Sequence, residues 1–194
     1  IRVGLLGGSF NPAHAGHVHV ARVAVRRLRL DQLWLLVSPG NPLKPSLDMA
    51  ALAERLRGAG VLADGARVIA TDIERRLGTR FTWDTLRKLR IRFPRARFIW
   101  IMGADNLEQF PRWRRWMAIA RETQIAVLPR PTYNHRALAG QAARRLRRWR
   151  VPVRQAPAMA CADRPAWVFL AARENGLSAT ALRQLNRQFS GGAP

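Results

Sequence analysis

The run Gly8-Ser9-Phe10-Asn11-Pro12-Ala13-His14-Ala15-Gly16-His17 concentrates the kinds of group that handle phosphate. Gly7 and Gly8 let the backbone turn sharply and approach a ligand closely. Ser9, Phe10 and Asn11 then offer backbone amides, and His14 and His17 add imidazole donors. A helix starting near Gly16 would point its positive end into the same space. Two histidines three residues apart at a helix start suit polyphosphate oxygens whose charge shifts during transfer. Either histidine alone reads first as a polar group capping the helix. Their pairing inside a glycine-rich strand-to-helix turn is what points to phosphate chemistry. A zinc site would need further His, Cys or carboxylate ligands nearby, and the Gly-Lys-Ser/Thr ending of a Walker loop is absent.

Three other places carry groups with matching chemistry. Ser178-Ala179-Thr180-x-x-Arg183 sets hydroxyls at a helix start, where they can cap the helix and donate to phosphate, with Arg183 one turn along the same face. Lys44 is one of two lysines, the other being Lys88, in a chain whose remaining cations are arginines. A compact ammonium on a flexible stem can follow a moving phosphate more freely than a planar guanidinium. Asp105, in Gly103-Ala104-Asp105-Asn106, follows a strand candidate, where a carboxylate can accept from ribose hydroxyls or orient metal-bound water.

These groups need a scaffold, and the hydrophobic pattern predicts one. Strands are expected over 2–7, 33–37, 66–70, 96–102 and 124–128, and near 152–155 and 167–170. Helices are expected over 16–29, around 48–58, over 82–93, around 112–120, over about 134–149, and from about 179 to 188. Short apolar strands alternating with amphipathic helices predict an α/β fold with a parallel sheet, one domain across residues 1–194 and a loose tail at about 189–194. In an open parallel sheet, ligands bind beyond the carboxyl ends of the strands. That rule selects the segments after Leu6, Val37, Met102 and Leu128. Three of these four hold residues named above.

The bulk numbers narrow the class. With 48% apolar residues the chain can bury a sizeable core. Cys161 is the single cysteine, so neither an intrachain disulfide nor a cysteine zinc site is expected. No apolar run approaches the length of a membrane span, and Val3-Gly4-Leu5-Leu6 opens the chain without a charged leader, so a cytoplasmic protein with no membrane partner is expected. The first residue is Ile1, so a few leading residues are expected to precede it. Lys+Arg 34 against Asp+Glu 12 gives a net charge of +22. That favours anionic partners such as nucleotides, pyrophosphate or nucleic acid. The densest group, Arg144 to Arg150, sits on an expected helix and suits a nucleic-acid or membrane-surface patch equally. Arginines scattered along the whole chain also fit a plain compositional bias, so charge does not choose the function.

Gly8-Ser9-Phe10-Asn11-Pro12-x-His14-x-Gly16-His17 closely resembles the signature of the nucleotidyltransferases with the (T/H)xGH motif. The rest resembles the bacterial nicotinate-nucleotide adenylyltransferases over about residues 3–187. Four blocks match in order: Asn41-Pro42-Leu43-Lys44, Thr79 to Leu86, Gly103 to Asn106 with Phe110-Pro111-Arg112-Trp113, and Leu177 to Arg183. Gly176-Leu177 and Arg114 depart from that pattern, the latter standing where an aromatic residue is common. The resemblance implies a Rossmann-like doubly wound sheet and transfer of AMP from ATP to nicotinate mononucleotide, with Mg²⁺ carried by substrate phosphates rather than by a protein metal site. It implies His14, His17, Lys44 and Arg183 as catalytic residues, and Gly8, Ser9, Phe10, Gly103, Asp105, Ser178 and Thr180 as further ATP contacts. Asn11, Lys44, Thr82, Trp113 and Arg114 would bind the mononucleotide, Trp113 by stacking and Thr82 and Arg114 by amides at the ring carboxylate. Trp83 and Trp116 are expected to pack, and His19 and His135 to lie outside the site. Two alternatives differ in partner: an adenylyltransferase acting on nicotinamide mononucleotide or phosphopantetheine, and a basic nucleic-acid-binding protein. No specific nucleic-acid partner is expected, and the oligomeric state stays open, a homo-oligomer included.

Overall fold

The computed structural model describes residues 1–40 and 49–170. Among these residues six strands form: β1 (Arg2–Gly8), β2 (Gln32–Val37), β3 (Val68–Thr71), β4 (Arg97–Gly103), β5 (Gln124–Leu128) and β6 (Trp167–Phe169). They form one parallel sheet in the order β3-β2-β1-β4-β5-β6. The expected helices appear as α1 (Ala15–Leu28), α2 (Leu52–Val61), α4 (Thr82–Arg92) and, starting later than expected, α6 (Trp116–Glu122). Three short helices had no clear periodic signal: α3 (Ile73–Arg76), α5 (Ala104–Gln109) and α9 (Ala156–Met159).

Helices cover both faces, which is why the central strands read as continuous apolar runs. Along β4, Phe98, Trp100 and Met102 enter one core with α4 and α5, while Ile99 and Ile101 enter the other with α1 and α2. Ala21, Ala24 and Leu28 form the stripe that α1 lays on its face of the sheet. The sheet is therefore doubly wound, as expected.

Two expectations fail for local reasons. The helix expected over 134–149 is split into α7 (Asn134–Ala139), α8 (Gln141–Arg145) and a 3-10 turn at Arg147–Trp149. Gly140 is extended (φ −75°, ψ 171°), and a Cβ there would lie 3.0 Å from the Arg136 carbonyl oxygen. The strand expected near 152–155 does not form. Arg150 makes an isolated bridge to Trp167, Pro152 has no N–H to extend it, and Val153–Gln155 curls into a 3-10 turn. The helix expected over 179–188 and the tail lie outside the described residues. Among those described, no helix is long and apolar enough to cross a membrane.

Candidate active site

The strand order places a natural binding crevice. From β1 the chain winds outward to β2 and β3 on one side, then returns to build β4, β5 and β6 on the other. The β1–β4 boundary is thus a topological switch point, where open α/β sheets bind ligands beyond the strand ends. Leu6 pairs with Ile101 across it, and Gly8 and Gly103 end their strands two residues further on.

Beyond Gly8 the chain makes its phosphate-type turn. Phe10 takes a left-handed conformation (φ 48°) with its ring fully buried, its centroid 4.7 Å from that of His17. Its side chain is a wedge, so Phe10 has its backbone to offer a ligand. Asn11 is buried, and its Oδ1 accepts from the Ala50 amide at 3.4 Å.

His14 and His17 both cap α1. The Gly16 amide donates to Nδ1 of His14 at 3.1 Å, and the His14 amide donates to Nδ1 of His17 at 3.2 Å. An Nδ1 that accepts carries no proton, so each neutral ring holds its hydrogen on Nε2. The cap and the phosphate-donor readings are therefore compatible: one edge of each ring serves the helix, and the other remains a donor. The rings lie 4.0 Å apart, centroid to centroid. Burial, helped by the nearby positive charges of His14 and Arg130, pushes His17 down to about 3. Burial and Arg130 also lower His14. Both rings are neutral donors at neutral pH.

Asp105, in the first turn of α5, stands just past Gly103, and its Oδ1 is buried without a hydrogen-bond partner among the described residues. Arg130, just past β5, bears electrostatically on both histidines, and a Cβ on Gly103 would come within 3.8 Å of its Cδ. Arg130 was missed from the sequence. The strand-end rule picks out its segment, but one arginine among the 32 that remain when two lysines are subtracted from 34 Lys+Arg carries no signal.

The Thr82 and Trp113 blocks meet on one face of the sheet. Thr82 opens α4, whose N-terminus has no side-chain cap. Trp113 is half-buried, edge-on to Trp100 (6.0 Å) and Phe110 (5.4 Å). Arg114 ties the blocks together: Nη1 lies 3.1 Å from Asp84 Oδ2, and the guanidinium sits 5.1 Å from the Phe81 ring centre. Its side chain is thus engaged by α4. Trp83 is buried, and Trp116 packs on Phe110 at 5.6 Å, both as packing residues. His19 lies half-buried on α1 and His135 exposed on α7.

Two buried charged residues also escaped sequence reading. Glu74 is 7% exposed, and burial pushes its carboxyl up to about 7 against hydrogen bonds from Thr85 and Ser38. Thr85 Oγ1 donates to Glu74 Oε1 at 3.2 Å and lies 2.9 Å from Thr79 Oγ1. Arg55 on α2 is 4% exposed. In sequence both look like ordinary solvated charges. The basic run lies on α8 and the turn after it, where Arg148 stacks over Trp149 (4.9 Å) and Arg150 over Trp167 (5.2 Å). Lys44, Ser178, Thr180 and Arg183 lie outside the described residues.

Comparison with known proteins gives the family and the fold. Residues 5–185 match the family model described as cytidylyltransferase-like. The chain is 58% identical to a probable nicotinate-nucleotide adenylyltransferase of Gluconacetobacter diazotrophicus, over 94% of this chain and 85% of that one. It is 57% identical to a protein of the same name from Gluconobacter oxydans, over 95% of this chain and 94% of that one. In fold it is similar to the Plasmodium falciparum nicotinic acid mononucleotide adenylyltransferase complexed with NaAD, with a TM-score of 0.70 at 13% identity, covering 94% of this chain and 82% of that one.

Proposed function

The chain belongs to the cytidylyltransferase-like family, and from that premise we propose that it is a nicotinate-nucleotide adenylyltransferase, joining ATP and nicotinate mononucleotide into nicotinate adenine dinucleotide and pyrophosphate. The observation that carries this reading is the two-sided use of His14 and His17. Their Nδ1 atoms cap α1 while their Nε2–H groups remain donors at the switch point.

The mononucleotide phosphate is an anion at neutral pH and needs no general base. One of its oxygens attacks the α-phosphorus of ATP. As that P–O bond forms, the bond to the α,β-bridging oxygen breaks, and the electron pair leaves with pyrophosphate. Such a transfer depends on holding two polyanions in line and on offsetting charge at the α-phosphate and the leaving group. His14 and His17 supply neutral donors there, and Arg130 supplies a fixed positive charge close by. Gly8, Ser9 and Phe10 offer backbone at the turn, and Gly103 and Asp105 line the opposite strand end. Lys44, Ser178, Thr180 and Arg183 join the ATP side by resemblance. Trp113 stacks on the nicotinate ring, and Asn11, Lys44 and the amides of Thr82 and Arg114 contact the mononucleotide.

Mg²⁺ fits this donor set as a companion of the substrate. Asp105, with its orphaned buried oxygen, is a carboxylate at the strand end able to meet the ion's water shell, with phosphate oxygens supplying the rest. When bound, the ion neutralises phosphate charge. We place the enzyme in the cytoplasm, where its nucleotide substrates and a single reduced cysteine are at home.

The deciding assay is pyrophosphate release from ATP with nicotinate mononucleotide, nicotinamide mononucleotide or phosphopantetheine. Turnover is expected to be fastest with the acid mononucleotide. Release with phosphopantetheine alone, or with none of the three, would overturn the reading.

A further inference from the structure

Arg55 is a buried charge, and it has no counter-charge among the described residues. Among the described residues its partners are backbone carbonyls: Nε donates to Ala50 at 2.8 Å, and Nη1 donates to Ser9 and to Ser38, each at 2.8 Å. Burying a guanidinium away from any carboxylate is costly, and a methionine would fill the same space without that cost. Packing therefore does not account for an arginine here. The position of the three acceptors does.

Ser9 lies in the phosphate turn, Ser38 directly follows β2, and Ala50 leads into α2. Five N–H donors in a rigid fork let one arginine hold several segments at once, and bonds from a charged donor are the stronger kind. In a trans peptide the C=O and the following N–H point in opposite directions. Holding the Ser9 oxygen therefore sets the direction of the Phe10 amide, one of those the turn presents. The left-handed Phe10 (φ 48°) is an unfavourable conformation for a bulky residue and persists only where its surroundings enforce it. Arg55 on one side and burial of the Phe10 ring on the other provide that enforcement. Asn11 reinforces the same junction by accepting from the Ala50 amide.

We infer that Arg55 is a positioning residue for adenylyl transfer, a buried clamp that holds the phosphate turn against the end of β2 and the start of α2 and so fixes the direction of the turn's amide donors. This rests on the adenylyltransferase reading above. It assigns a role to a residue whose partners among the described residues are backbone carbonyls.

The test compares Arg55→Met and Arg55→Lys with the wild type, measuring Tm first and then kcat and KM well below each Tm. In folded Arg55→Met, kcat is expected to fall about a hundredfold, the scale on which misplacement of roughly 1 Å acts, while KM for the mononucleotide stays within about threefold. Arg55→Lys, whose ammonium can still reach some of the carbonyls, is expected to recover about tenfold of that loss. A folded Arg55→Met with kcat within about twofold of wild type, whatever its Tm, overturns the inference. If Arg55→Met does not fold, Arg55→Lys decides: a kcat lowered about tenfold with unchanged mononucleotide KM supports the clamp, and a wild-type kcat overturns it. Wild-type turnover separates this from the functional reading. If the wild type releases no pyrophosphate, that reading fails, and calorimetric binding of MgATP judges Arg55 alone. Binding about tenfold weaker in Arg55→Lys then supports the clamp, and equal binding overturns it.

Discussion

His17 accepts a hydrogen bond from the His14 backbone amide through Nδ1 at 3.2 Å, while His14 accepts from Gly16 through its own Nδ1 at 3.1 Å. Each ring's tautomer is fixed by a backbone amide at the start of α1, that of Gly16 for His14 and that of His14 for His17. The helix start is thus built from the same atoms that orient the donors.

This arrangement separates two functions of one ring. An asparagine side chain reaches roughly as far as Nδ1, and a glutamine roughly as far as Nε2. His17→Asn should therefore keep the cap, worth about 1 kcal/mol, while losing about a hundredfold in kcat. His17→Gln should lose stability and retain more of the rate. His17→Ala should lower kcat far more than it weakens ATP binding, as read by single-turnover kinetics and equilibrium titration. Equal losses in binding and turnover would make His17 a passive anchor.

Gly103 offers a way to move Asp105 without removing its carboxylate. A Cβ on Gly103 would lie 2.4 Å from Asp105 Oδ1, and its φ of −78° suits alanine. Gly103→Ala is expected to lower kcat/KM for ATP about tenfold with little change in Tm, and Asp105→Asn to do the same. Wild-type kinetics in both variants would remove Asp105 from the site.

Trp113 should act on one substrate. Trp113→Ala is expected to raise KM for nicotinate mononucleotide about tenfold, with KM for ATP within about twofold, because in the proposed complex the ring stacks on the pyridine. Trp113→Phe should recover part of the loss, since it keeps an edge against Trp100 and Phe110. An equal rise in both KM values would point to collapse of the block instead.

Glu74 makes stability depend on pH. Burial raises its folded pKa to about 7 from 4.5, so the stability of the protonated form is fully present below about 4.5 and is lost as pH rises through about 7. Glu74→Gln removes that loss. Its Tm relative to wild type should climb between pH 4.5 and 7 and level off above, as followed by thermal denaturation across pH. A constant difference would mean that Glu74 stays ionised in the fold.

The histidine turn and the strand-end segments were legible because spacing and strand order act locally. Arg55, Glu74 and Arg130 were not. In a chain with 34 Lys+Arg, no single arginine stands out, and a glutamate beside two arginines reads as a solvated surface. The broken helix at Gly140 and the missing strand after Pro152 were written in residue types whose effect depends on what packs against them.

By itself the sequence determined the alternation of strands and helices, the phosphate turn and the pairing of His14 with His17. Hydrophobic period and glycine spacing are properties of neighbouring residues. Only the tertiary structure decided which edge of each imidazole stays a donor, which arginine stands beside the turn, and which one donates to its backbone. Those outcomes depend on hydrogen-bond direction and on burial, both of which arise only when segments far apart in the chain are packed together.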